Sequence, residues 1–151
     1  MNTLQINKIL NRNNITKYYY IGCFPSDSIP NPINFKIFCM VVNTDTSREA
    51  GSHWIAIFCQ YPSVDYYDSL GIWPPISLHV RNYLSLFQSV RFNRIQIQNP
   101  FQYTCGQHVI FFLFLRCKGL HMDKIIKYLK GVDADKLVSE FVSAKIFSIN
   151  S

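Results

Sequence analysis

The stretch from His53 to Asp68, HWIAIFCQYPSVDYYD, constrains the fold more than any other part of the chain. Two runs rich in β-branched and aromatic residues, His53–Tyr61 and Val64–Asp68, are separated only by Pro62-Ser63. Residues of this kind favour pleated, buried backbone. So short a break permits only an antiparallel hairpin, since a parallel crossover needs about a dozen residues or more. The start of one strand then lies beside the end of the next, so His53 and Asp68 are expected at the same end of the sheet. Neighbouring residues of a strand point to opposite faces, so Asp65 is expected to point away from His53 and to be dispensable for any chemistry there.

The remaining segments complete an α+β pattern. Thr3–Leu10 reads as a short helix, and Tyr18 to Pro25 leads into a loop rich in Pro and Ser that runs to Pro32. Phe35–Asn43, FKIFCMVVN, reads as a buried strand and Thr44–Ser52 as a polar turn. Pro74-Pro75 interrupts the chain, and Ser77–Phe87 follows as an amphipathic helix with Val80, Leu84 and Phe87 on one side. Phe92–Gln98 alternates like a strand, Thr104–Cys117 is apolar enough for a core helix, and Met122–Lys130 and Asp135–Phe147 are two further helices. No repeat, low-complexity tract or linker divides the 151 residues, so one domain over 1–151 is expected. The fold class is α+β, a small antiparallel or mixed sheet flanked by helices.

A hydrophobic content of 48% against 16% charged residues excludes general disorder. The five cysteines are odd in number and irregularly spaced, with no CxxC, which argues against a disulfide framework or a zinc site and for a reducing compartment. Met1–Tyr20 is too polar for a signal peptide. The longest apolar run, Val109–Leu115, is too short to cross a bilayer, so no membrane association is expected. The net charge of +6 fits either a solvated basic surface or a polyanionic partner. Arg116, Lys118, Lys124, Lys127 and Lys130 are the candidate DNA contacts, with Arg91 and Arg94 before them in the chain.

Four residue types needed for cysteine hydrolysis occur together: the Cys105 thiol, the His53 imidazole, the Asp68 carboxylate and the Gln98 amide. Cys105 sits where a loop becomes a helix, with Thr104 as a candidate cap and Gly106 leaving room for a substrate backbone. The free N–H groups of a helix start lower a thiol's pKa. Taken singly, Cys105 is as well explained as a packed core thiol, and His53 as a structural histidine. The set carries the argument, with Trp54 and Gly106 as supporting residues. His79, His108 and His121 have no evident partner and read as structural; Cys39, Cys59 and Cys117 read as core thiols.

These motifs resemble the adenovirus maturation proteases (adenain), within the wider group that includes the SUMO-specific proteases. The matching stretches are Val42-Asn43-Thr44 with Arg48-Glu49 and Gly51-Ser-His53-Trp54, then Asp68-Ser-Leu-Gly71, then Gln98-Asn-Pro100 with Thr104-Cys105-Gly106. The resemblance implies an α+β fold with the nucleophile at the start of the central helix. It implies a cysteine endopeptidase with His53, Asp68, Gln98 and Cys105 as the catalytic set. Such an enzyme cleaves viral or transposon capsid or core precursors near Gly through a thioester acyl-enzyme. No metal or organic cofactor is implied for the chemistry, and double-stranded DNA is implied as an activator. A monomer, working in the virion and the host nucleus or cytoplasm, completes the picture.

The departures point to a relative of Maverick/Polinton, adintovirus or virophage type. Asp68 stands where adenoviral enzymes have Glu, Gln102 stands where a small residue is usual, and no cysteine near Phe87 offers the bond to an activating peptide. Two alternatives accompany this reading: a SUMO- or ubiquitin-like deconjugating protease on the same fold, and an inactive nucleic-acid-binding module.

Overall fold

The structure is a computed structural model that describes residues 1–31 and 34–150, so Pro32, where the expected Pro- and Ser-rich loop ends, lies outside the described residues. Helix α1 (Thr3–Arg12) opens the chain, closed at its N-terminus by a reciprocal box. The Asn2 side chain accepts from the Gln5 N–H and the Gln5 side chain accepts from the Asn2 N–H, each at 2.9 Å. Then come β1 (Tyr20–Pro25), β2 (Ile37–Asn43), β3 (Trp54–Gln60), β4 (Ser63–Tyr67), α2 (Leu78–Leu84) and β5 (Ser89–Phe92). Three helices finish the chain: α3 (Cys105–Cys117), α4 (Met122–Lys130) and α5 (Ala134–Asn150).

The five strands form one sheet in chain order, β1-β2-β3-β4-β5. The inner pairs β2–β3 and β3–β4 are antiparallel, while β1–β2 and β4–β5 are parallel, so the sheet is mixed. Both faces are covered, which is why β2 and β3 read as unbroken apolar runs. Cys39, Val41, Ala56, Phe58 and Tyr67 face a core shared with α1, α3, α4 and α5. Their alternate neighbours Phe38, Met40, Val42, Ile55, Ile57 and Tyr66 face a second core closed by Val80, Tyr83 and Leu84 of α2. Helix α3 is the central helix: apolar almost all round, it lies across β3 with α5 and α1 against its other sides.

One expectation fails here. Phe92–Gln98 is not a strand, because β5 ends at Phe92. The Asn93 side chain bonds the backbone of Asp68 and of Ile95, and the Ile97 and Gln98 N–H groups both donate to the Ser69 carbonyl at 2.8 Å. Those bonds take the place of a ladder. Asp65 points away from His53 as expected, and on that side it has a structural task. It is fully buried between sheet and α3, accepting from Arg91 Nε at 2.6 Å and from Arg116 Nε at 2.8 Å.

Arg116 is consequently not a DNA contact. Only 4% of it is exposed. It stacks over Phe58 and donates to the Leu120 carbonyl and the Gln60 side chain besides Asp65, so its guanidinium is spent inside the fold. Lys118, Lys124, Lys127 and Lys130 are exposed.

Candidate active site

Antiparallel register pairs Ala56 with Tyr67, so Asp68 continues to the position across from Ile55. His53 lies two residues further along and reaches Asp68 on the diagonal, a span within reach of a long side chain. Its Nε2 stands 2.7 Å from Asp68 Oδ1. The His53 carbonyl accepts from the Thr44 N–H at 2.9 Å, which fixes the imidazole's backbone to the end of β2.

Asp68 is held as firmly. Its N–H donates to Asn93 Oδ1 at 3.0 Å, its carbonyl accepts from Asn93 Nδ2, and its carboxylate also accepts from the Leu70 N–H at 2.9 Å. Gly71 closes this turn at φ +68°, a conformation that favours glycine. A Cβ there would come within 2.6 Å of the Gln96 nitrogen, so only glycine lets the two backbones meet. That approach brings Ser69 against Gln98.

Gln98 is 4% exposed. Its Oε1 accepts from Ser69 Oγ at 2.6 Å and its Nε2 donates to the Gln102 carbonyl at 2.6 Å. A primary amide has a second N–H on that nitrogen.

Cys105 is the first residue of α3, and its thiol lies close enough to His53 for each group to shift the other. With Nε2 on Asp68, the imidazole has Nδ1 left for the thiol. Burial pushes the Cys105 thiol up, but the bond to His53, the Trp54 and Gly106 backbone N–H groups and the imidazole's charge outweigh it and hold the thiol below its ordinary 9.0. Burial alone lowers His53, yet its bonds to Asp68 and Cys105 and their negative charges raise it to about 9. Both shifts favour a thiolate–imidazolium pair. His53 and Asp68 also line a cleft of about 380 Å³ with Asp45, Glu49, Leu70 and Ile76.

The supporting residues act differently from expectation. Thr104 does not cap α3 with its side chain; its hydroxyl donates to Asp135 instead. Gly106 is buried under Met1, whose Sδ would lie 3.1 Å from a Cβ there, so this glycine makes room for the N-terminal segment. Trp54 helps through its backbone N–H on the thiol, and its ring packs against the core shared with α3. His108 and His121 do have partners: His108 meets Tyr67 and Asp135, and His121 meets Arg91 and Asp123. Asn93, Ser69 and Asp135 were missed in the sequence, where an Asn, a Ser or an Asp in a loop or first helical turn carries no distinguishing signal.

The basic residues lie elsewhere. Lys118 follows the last residue of α3, about 20 Å from Cys105 at the helical rise. Lys127 and Lys130 line a cleft of about 480 Å³ with Arg94, Phe92, Met122 and Ile126. Among the described residues no cluster of His, Cys, Asp and Glu is built to hold a metal ion, and no helix is long and apolar enough to cross a membrane.

No family model and no curated protein matches the sequence. Solved structures do match. The central domain of the uncharacterized Lpg1148 protein from Legionella pneumophila is similar with a TM-score of 0.63 at 12% identity, over 99% of this chain and 97% of that one. The ASFV pS273R protease is similar with a TM-score of 0.60 at 19% identity, over 93% of this chain. The chain spans 65% of that protease's length. The α+β fold with its mixed five-stranded sheet is therefore one that the ASFV pS273R protease shares.

Proposed function

We propose that this chain is a cysteine endopeptidase with Cys105 as nucleophile. One observation carries the reading: His53 is hydrogen-bonded to Asp68 at 2.7 Å and is electrostatically linked to the Cys105 thiol, which sits at the start of a buried helix. The shared fold with a viral protease supports it.

The Cys105 thiolate attacks the scissile carbonyl carbon. The resulting oxyanion accepts from the Cys105 N–H and the second N–H of Gln98 Nε2, the amide that Ser69 and Gln102 orient. Imidazolium His53 gives its proton to the leaving amine, and a thioester remains. Neutral His53 then takes a proton from water, whose oxygen attacks the thioester and releases the acid and the thiolate. Asp68 holds the ring in place and stabilises its charged form throughout.

Cys105 is only 7% exposed, so a substrate carbonyl has a narrow approach. That favours Gly beside the scissile bond, where two backbones can come close. The sequence motifs make a capsid or core precursor of an adenain-like virus or transposon of the Maverick/Polinton, adintovirus or virophage kind the proposed substrate. The same resemblance makes the virion and the host nucleus or cytoplasm the proposed place of action. Double-stranded DNA is the proposed activator, through Lys124, Lys127 and Lys130.

The test is cleavage of internally quenched peptides carrying Gly at and around the scissile bond, compared with peptides in which those glycines are Leu. Wild-type protein should cleave the Gly peptides, and Cys105→Ala should cleave none. Equal turnover by Cys105→Ala would refute the reading.

A further inference from the structure

One partly buried network touches the chain neighbours of three candidate site residues. Asp135, in the first turn of α5, accepts from the Asn99 N–H at 2.8 Å through Oδ2. Through Oδ1 it accepts from the Thr104 hydroxyl and, at 3.1 Å, from His108 Nε2. His108 is fully buried, and its Nδ1 lies 3.2 Å from the Tyr67 hydroxyl. The consistent proton arrangement is a neutral imidazole that donates from Nε2 and accepts from Tyr67 at Nδ1. Asn99 follows Gln98, Thr104 precedes Cys105 and Tyr67 precedes Asp68.

We propose that Asp135 is a positioning residue, which sets the thiol-bearing start of α3 against the amide-bearing loop and keeps the Thr104 hydroxyl away from the helix start. This rests on the peptidase reading of the site. Three donors converge on one carboxylate, a job that needs an acceptor-only group. Burial raises Asp135, but the bonds from Thr104, Asn99 and His108 outweigh it and hold it below the usual carboxylate range, so it stays ionised.

The second half of the proposal concerns Thr104. A Thr at this position normally turns its hydroxyl onto the first N–H groups of the helix. Here Asp135 takes that hydroxyl, and the Gly106 N–H serves the Cys105 sulfur instead. With Asp135 removed, the hydroxyl is free to turn back and take up N–H groups at the helix start. The thiol pKa should then rise.

The experiment uses the full chain. Iodoacetamide alkylation of Cys105 is followed against pH by mass spectrometry, alongside kcat and KM on a cleaved Gly peptide and the melting temperature. In Asp135→Ala the alkylation profile should move to higher pH, and kcat should fall by up to about 100-fold with KM little changed. Asp135→Asn, which keeps one acceptor oxygen and the shape, should fall between, and it decides the matter if the Ala variant does not fold. Asp133→Asn, which preserves an exposed cap, should match wild type. A folded Asp135 variant with lower melting temperature but an unmoved alkylation profile and kcat would make the residue merely structural and overturn the proposal. If the wild-type protein cleaves nothing, the peptidase reading fails, and the alkylation profile still decides whether Asp135 tunes the thiol.

Discussion

Asp68 meets His53 at 2.7 Å through Nε2, so the imidazole has Nδ1 left for Cys105. The carboxylate thus fixes both the ring's orientation and which nitrogen is left to face the thiol. It also makes the imidazolium the favoured form at neutral pH, since His53 is raised to about 9 while Cys105 lies below its ordinary 9.0.

The pH dependence follows with its sign. Activity should rise with pH as the depressed Cys105 loses its proton, hold across a plateau, and fall as His53 loses its own near about 9. The two groups titrate as a coupled pair, so the limbs belong to the pair. A pH profile of kcat/KM on a Gly peptide checks this. Iodoacetamide should label Cys105 at neutral pH faster than Cys23 or Cys59, both of which burial pushes up to about 11. Equal labelling of the three thiols at neutral pH would remove the activated thiolate.

Asp68→Asn and Asp65→Asn should both damage the protein, in different ways. Asp68→Asn should keep the fold, lower kcat and bring the basic limb of the profile down, because the charge that raises His53 is gone. Asp65→Asn leaves Arg116, only 4% exposed, without its compensating charge. Losing one partner of a buried pair costs about 3–5 kcal/mol. For a chain of this length that is a melting temperature lower by roughly 10 °C or more. Thermal melts and kinetics on the same samples separate the two. A stable, active Asp65→Asn would show that Arg91 and Arg116 find other partners.

The history of Asp65 shows what the sequence makes legible. Strand periodicity tells which side a residue faces, and Asp65 does face away from the Ile55, Ile57 and Tyr66 side of the sheet. Periodicity cannot tell what covers that side, because Arg116 is 51 residues away and meets Asp65 only once α3 lies on the sheet. The meeting of His53 with Asp68 was readable because a two-residue break forces an antiparallel hairpin that brings the two strand ends together. Asn93 and Asp135 were not, since Asn93 bonds backbone groups that any residue could supply, and Asp135 meets Asn99, Thr104 and His108 only across 27 to 36 residues of chain. The alternation in Phe92–Gln98 misled for the same reason: Asn93 and the Ser69 carbonyl take the bonds a strand would have formed.

Gln98→Ala should lower kcat by on the order of 10²–10³ and leave KM nearly unchanged, because an oxyanion donor acts mainly in the transition state. Ser69→Ala removes the 2.6 Å bond that orients the Gln98 amide and should give a smaller loss of the same kind, in kcat rather than KM. Gln96→Ala is the control, because among the described residues the Gln96 amide bonds only the Gln98 carbonyl. If Gln96→Ala were the damaging change and Gln98→Ala silent, the oxyanion donor would be misassigned.

DNA binding should be salt-sensitive and indifferent to sequence, and it should use fewer residues than the basic stretch suggests. Lys124, Lys127 and Lys130 recur along one exposed side of α4, and Arg94 stands across the cleft from the last two. Arg116 is excluded, since its charge is matched by Asp65 inside the fold. The log of the association constant should fall linearly with log salt, by about 0.9 per phosphate neutralised. Changing Lys124, Lys127 and Lys130 together to Glu should flatten that slope and leave cleavage of a short peptide without DNA unchanged, because α4 contributes no group to the Cys105–His53–Asp68 site. Arg116→Glu should instead unfold the protein by placing two carboxylates in one buried site. Fluorescence anisotropy with duplexes of unrelated sequence, from low to physiological salt, measures the slope. An isotherm that ignores salt over that range, or a triple variant that binds like wild type, would return these lysines to the role of a solvated surface.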